Sequence, residues 1–155
     1  MTISNDSEFK AALSALPIAQ QRLVAARFVE SVLSVSKDPR IGNALLAAQR
    51  ADIGAAELAA AFHAARSASV ESYTPCGKEA DWLCQAGHFV AKAALNSVMP
   101  AAQGANLAWD AAMNARMARA SETIARGEGN DNQEAERQYR ILSEFLTVMA
   151  NRLSG

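Results

Sequence analysis

The chain has only two cysteines, two histidines, four prolines and 6% aromatic residues in 155 positions. Each shortage excludes something. Two cysteines, Cys76 and Cys84, are too few for a disulfide framework. A bridge between them would close only a short loop, so reduced thiols in a cytoplasmic protein are the simpler expectation. No stretch of 18 apolar residues runs without a charge, so no membrane span is expected. The start, MTISNDSEFK, has no basic segment followed by an apolar one, as a secretory leader would.

Excess charge of one sign is also missing. Formal net charge is −1. It divides as 0 over residues 1–72, +1 over 73–126 and −2 over 127–155. Nothing here supplies the basic excess that phosphate backbones require, so nucleic acid is not an expected partner. Runs of alternating β-branched residues are lacking as well.

What fills the space is alanine, at 35 positions. Alanine loses no side-chain entropy in a helix, and its small side chain lets helix axes approach closely. At this length one domain, residues 1–155, is expected to bury roughly 70% of the surface its unfolded chain exposes, without help from disulfides or metal.

The pattern reads as all-helical throughout. A short first helix or arm occupies 1–16, with Asn5 and Glu8 at capping-box spacing. Helix two is predicted over about 17–35, with Ala25, Phe28, Val29 and Val32 on one side. Asp38 and Pro39 start a third, carrying Ile41, Ala44, Leu45 and Ala48 and closed near Gly54. The fourth, about 55–72, places Leu58, Ala61, Phe62 and Ala65 inward. The fifth, about 79–98, is apolar nearly all round and should be central. Pro100 opens a sixth, 101–126, whose stripe of Trp109, Met113, Met117, Ala120 and Ile124 is the expected core face. A loop at 127–132 precedes the last helix, about 133–153. Helices joined by short turns make an antiparallel bundle the expected architecture.

Few side chains suggest chemistry. Asp81, Cys84 and His88 fall at spacings of three and four, on one side of a helix. A cysteine nucleophile needs a base within reach and an electropositive setting. Here the stripe continues as Ala91, Leu95 and Val98, which indicates packing, with His88 bonded to a neighbouring helix; no catalytic residue is assigned. Zinc would need Cys76, Cys84, His63 and His88 to converge without any paired ligand spacing, so no metal and no cofactor are expected. His63 reads as a boundary residue bonded to a carbonyl or neighbouring helix. Alternatively, His63, Arg66, Cys84 and His88 line a small-molecule pocket between helices four and five. Exposed recognition groups are expected at the turn carrying Asp38 and Arg40 and along the 71–82 loop with Tyr73 and Trp82, because loops commonly carry recognition.

Three stretches, RFVESVLSVSKDPRIGNALLAAQRADIGAAELAAAFHAARSAS (27–69), QAGHFVAKAAL (85–95) and ANLAWDAAMNARMARA (105–120), resemble a known group: bacterial all-helical immunity proteins of the Imm-5-like type. The likeness rests on Val32-Leu33, the Asp38-Pro39-Arg40 turn, Ile53-Gly54, Phe62-His63-Ala64-Ala65-Arg66 and Ala86-Gly87-His88. It implies a non-catalytic cytoplasmic protein that binds a cognate toxin protein and occludes it. The rival expectations are the small-molecule pocket and a self-associating module, a homodimer built on an alanine-rich helix face.

Overall fold

A computed structural model describes residues 2–73, 81–101, 106–128 and 132–154, with no side-chain description at 73 and 154. Seven α-helices make up the described chain, and no strand occurs among these residues: α1 (Asp6–Ser14), α2 (Ile18–Glu30), α3 (Pro39–Ala48), α4 (Ala55–Tyr73), α5 (Trp82–Val98), α6 (Leu107–Ala125) and α7 (Glu134–Ser154). A 3₁₀ turn at Leu33–Val35 links α2 to α3.

The starts follow local chemistry. Asn5 accepts from the Glu8 amide at 2.9 Å, Asp38 from Arg40 and Asp81 from Cys84. Each side chain satisfies an amide that the first helical turn leaves without a partner. Three predicted boundaries shift. Helix two stops at Glu30, because the chain tightens into the 3₁₀ turn. Helix three stops at Ala48 rather than near Gly54; the turn beyond it is held by Arg50, which ion-pairs with Asp52 and Glu57. Helix six opens at Leu107, not after Pro100, because Asn106 accepts from the Trp109 amide and sets the start.

Two apolar cores share α2 and α6. The first gathers Ala26 and Val29 of α2 and Val32 just beyond it with Ile41 and Leu45 of α3, Ala65 and Ala68 of α4, Val90, Ala94 and Val98 of α5, and Ala115 and Ala118 of α6. The second joins Phe9 and Leu13 of α1, Val24 and Phe28 of α2, Ala108 and Ala112 of α6, and Leu142 and Phe145 of α7. Helix α5 packs against α2, α3, α4 and α6, so the expectation that it is central holds.

The core face of α6 is not the predicted one. Trp109 and Met113 are half-buried and Met117 is 48% exposed, whereas Ala108, Ala111, Ala112, Ala115 and Ala118 are fully covered. Helix α6 has its most extensive contact with α5, which presents buried Ala91, Ala93 and Ala94. Methyl-sized side chains on both helices allow close approach, and the long side chains are pushed to the rim. Ala115→Leu is therefore expected to cost about 1–3 kcal/mol by overpacking. Urea denaturation should show this loss, while Met117→Leu at the rim should change stability by less than about 0.5 kcal/mol.

Polar side chains lock the second core. Arg22, almost fully buried, donates to the carbonyls of Ser97 (3.2 Å) and Met99 (2.7 Å), closing the end of α5. Gln138, with no exposed surface, donates to the Ala112 carbonyl and accepts from Arg116 Nε at 2.7 Å. Arg116 also pairs with Asp6 (2.8 Å), which ties α1 to α6. Glu134 is wholly buried at the start of α7. It accepts from Ser31 Oγ at 2.6 Å and from Arg119 Nε at 2.9 Å, while Arg119 Nη2 donates to the Ser31 carbonyl at 2.7 Å.

Candidate functional site

The expected recognition residues converge on one end of the bundle, where α3 begins, α4 ends and α5 begins. Asp38 caps α3 and holds Arg40 through three side-chain contacts, Nε to Oδ1 at 3.1 Å, Nε to Oδ2 at 3.2 Å and Nη2 to Oδ2 at 2.7 Å. The same Nη2 reaches Glu71 of α4 at 2.7 Å. One residue on, Ser72 faces α5: its Oγ lies 3.0 Å from His88 Nδ1, and its carbonyl lies 4.0 Å from Cys84 Sγ. Trp82 opens α5 at this end, 39% exposed, next to Leu83 at 58%. Val70, on the outer side of α4, is 62% exposed. The side chain of Tyr73 lies outside the described residues, as does the 74–80 part of the predicted loop.

Charges at this end are already matched. The hydrogen bonds from Arg40 hold Asp38 and Glu71 below the usual carboxylate range, against a smaller opposing effect of burial on each. The two carboxylates in turn raise the Arg40 pKa well above its ordinary value, the Asp38 hydrogen bond most of all. Arg40 therefore stays charged and aimed, a planar donor fixed between two helices rather than a free side chain.

Asp81, Cys84 and His88 separate into different jobs. Asp81 caps the helix. Cys84 is disulfide-bonded, which overturns the expectation of reduced thiols; Cys76, the chain's only other cysteine, lies outside the described residues. A sulfur held in a disulfide offers no thiolate for attack or metal binding. His88 is half-buried and bonded to the neighbouring helix, as its stripe predicts. Burial, then the nearby Lys92 charge, push its pKa below the ordinary imidazole value, opposed by a bond to the Ser69 backbone.

Two of the four residues expected to line a pocket share a groove. His63 and Arg66 border an open groove of about 280 Å³ with Ser67, Val70 and Glu71, all on α4. Neither Cys84 nor His88 lines it. His63 is exposed, its ring 5.5 Å from that of Phe62, and not at a half-buried helix boundary. Ser72, the partner of His88, is nine residues further along, about 13.5 Å at helical rise. The two imidazoles thus attach to α4 at separate levels. Among the described residues, no group of three or more His, Cys, Asp or Glu side chains is placed to hold a metal ion. No described helix is long and apolar enough to cross a membrane.

No family model, curated protein or solved structure matches this chain.

The surface itself carries the functional reading. Trp82 and Leu83 expose apolar area where α5 begins and Val70 does so near the end of α4, and the α4 groove runs up to Glu71, the partner of Arg40. An exposed tryptophan and a fixed guanidinium are two residue types enriched among binding hot spots. Composition alone could not find the linking residues, Glu71 and Ser72. Both are ordinary polar positions in the last turns of α4, and they matter because α3 and α5 dock against them.

Proposed function

We propose that this chain is a non-catalytic binding protein, an immunity protein that neutralises a cognate bacterial toxin by covering its active site or substrate groove. The observation that supports this reading is the cluster at the α3–α4–α5 end. There Asp38 and Arg40 meet Glu71, and Trp82, Leu83 and Val70 leave large apolar side chains in solvent. Isolated exposed apolar residues are ordinary, but an aromatic anchor and a preorganised arginine are groups on which a recognition site draws. Preorganisation matters because side chains immobilised only on binding reduce affinity. In the occluding body, Arg22, Gln138 and Glu134 hold helices together from buried positions.

The reading includes the cytoplasm as the place of action. The disulfide at Cys84 provides a check, because disulfides persist in oxidising compartments and are rare in the cytosol. Alkylation of thiols in intact cells, followed by mass analysis, should find Cys84 protected from labelling, as the structure has it. Labelled Cys84 would show that the disulfide does not form where the protein acts.

The test of function is co-expression with the protein encoded beside this chain's gene. Growth arrest by the neighbour, relieved by this chain, is the expected result. Trp82→Ala and Arg40→Ala should each weaken binding by at least about tenfold with little change in melting temperature. No growth arrest by the neighbour, no relief, or relief undiminished by both substitutions together would end the proposal for this surface.

A further inference from the structure

The turn that carries Trp82 has no fully covered side chain. Asp81, Trp82 and Leu83 are exposed, Cys84 and Gln85 are half-buried, and Ala86 is the first buried residue of α5. Two fixtures hold this turn. Asp81 caps the Cys84 amide at 3.0 Å, and Cys84 is disulfide-bonded. Cys76 is the chain's only other cysteine, so the bridge ties the first turn of α5 to the connection that precedes it. We propose that this disulfide is a redox switch: reduction by a dithiol or by glutathione releases the first turn of α5, with Trp82 and Leu83, while the helical core stays folded.

The energetics favour a bridge that can open. A disulfide stabilises a fold more the longer the loop it closes, and from position 76 to position 84 the loop spans only eight positions. By linkage, a bridge that adds little to the fold is held little by the fold in return, so it stays within reach of reductants. The rest of α5 does not depend on it. Val90, Ala91, Ala94 and Val98 are buried in the first core, and the helix packs on α2, α3, α4 and α6. One turn beyond the sulfur, His88 Nδ1 lies 3.0 Å from Ser72 Oγ and keeps α5 on the end of α4. That contact bounds the segment free to loosen at its far side.

The exchange is a two-electron step. A thiolate of the reductant attacks one sulfur of the bridge, the S–S bond breaks, and the other sulfur leaves as a thiolate that takes a proton from water. A second reductant thiol resolves the mixed disulfide. The reductant ends as a disulfide, and Cys76 and Cys84 end as thiols. The surroundings of Cys84 suit that product. Its Sγ lies 4.0 Å from the Ser72 carbonyl, to which a thiol can donate and a disulfide sulfur cannot. The return step is also favoured. So short an intervening chain keeps the two thiols at high mutual concentration, and a disulfide oxidant such as oxidised glutathione closes the bridge again.

The consequence for partner binding rests on the reading of Trp82 as an anchor. An anchor held in place before binding loses less freedom on docking, so the oxidised form is the stronger binder. The switch itself is measured on the free chain, so its failure and the failure of that reading are separate results.

The test equilibrates the full chain in glutathione buffers of graded composition, alkylates the free thiols and weighs the products. Both cysteines should become reduced within the series while far-ultraviolet dichroism stays helical. Hydrogen exchange then compares the two forms. The amides of Cys84 and Gln85, both bonded to Asp81 at 3.0 Å, should exchange at least about tenfold faster after reduction, and those of 90–98 should change by less than about twofold. Cys84→Ser and Cys76→Ser should each show the fast exchange without reductant and be indifferent to dithiothreitol. The unmodified chain supplies both states, so the comparison holds even where a serine variant folds poorly. Any of three results would overturn the switch: a bridge intact at every buffer composition until urea unfolds the chain, equal exchange at Cys84 and Gln85 in both forms, or loss of protection throughout α5 on reduction.

Discussion

Arg119→Met is expected to destabilise the fold by about 3–5 kcal/mol, the cost of leaving a buried carboxylate without its counter-charge. The reason is local. Glu134 has no solvent-exposed side-chain surface, and its shortest charged contact is Arg119 Nε at 2.9 Å. Methionine keeps much of the arginine's apolar volume, so the loss reports charge and hydrogen bonding rather than a cavity. Removing both ends should recover most of the damage, because replacing a buried pair with apolar groups is often neutral. In Arg119→Met/Glu134→Leu the remaining cost should fall to about 1–2 kcal/mol, chiefly from the Ser31 hydroxyl and carbonyl left without partners. Urea melts of the two single variants and the double variant give the coupling directly. A double variant as unstable as the sum of the singles would show that the pair does not act as a unit.

Phe9→Ala should cost a similar amount, about 3–5 kcal/mol, for a different physical reason. Phe9 is completely buried and is the hub of an aromatic cluster: Phe28 at 5.5 Å, Tyr139 at 5.4 Å and Trp109 at 6.1 Å between ring centroids. Arg116 lies over both Phe9 and Tyr139, at 5.5 and 5.7 Å. Truncation leaves a void among α1, α2, α6 and α7 and also weakens the hold on α1, which is otherwise tied mainly through Asp6. Hydrogen exchange should accordingly show the amides of α1 and its α7 partners losing protection before those of α5. For a domain of this size each kcal/mol lowers the melting temperature by about 2–4 °C, so a drop of roughly 10 °C is expected. Lysine at Phe9 would abolish folding.

The two substitutions probe what the amino-acid pattern concealed. Glu134 and Arg119 each look like routine surface members of helical ion pairs, and their short-range partners, Arg137 and Glu122, are at ordinary helix spacing. Their pairing is completed by Ser31, which follows the end of α2 and bonds to both. Phe9 lies in a short amino-terminal segment that reads as a helix or an arm, and only its neighbours from three other helices make it a core residue. The recognition end behaves in the same way. Asp38, Arg40 and Trp82 were individually legible as exposed or turn residues, but it is Glu71 and Ser72 that tie α3 and α5 to the end of α4.

The order of residues by itself determined the helical character, the caps at Asn5 and Asp38, and the central place of α5, because these depend on neighbours within a turn or two. Tertiary structure decided which face of α6 is buried, that His63 and His88 lie at different levels, and which charges are enclosed. Helix packing is governed by how near two axes can come. On α6 the alanines win that competition, and the tryptophan and methionines, which the hydropathy pattern favours, are left at the edge.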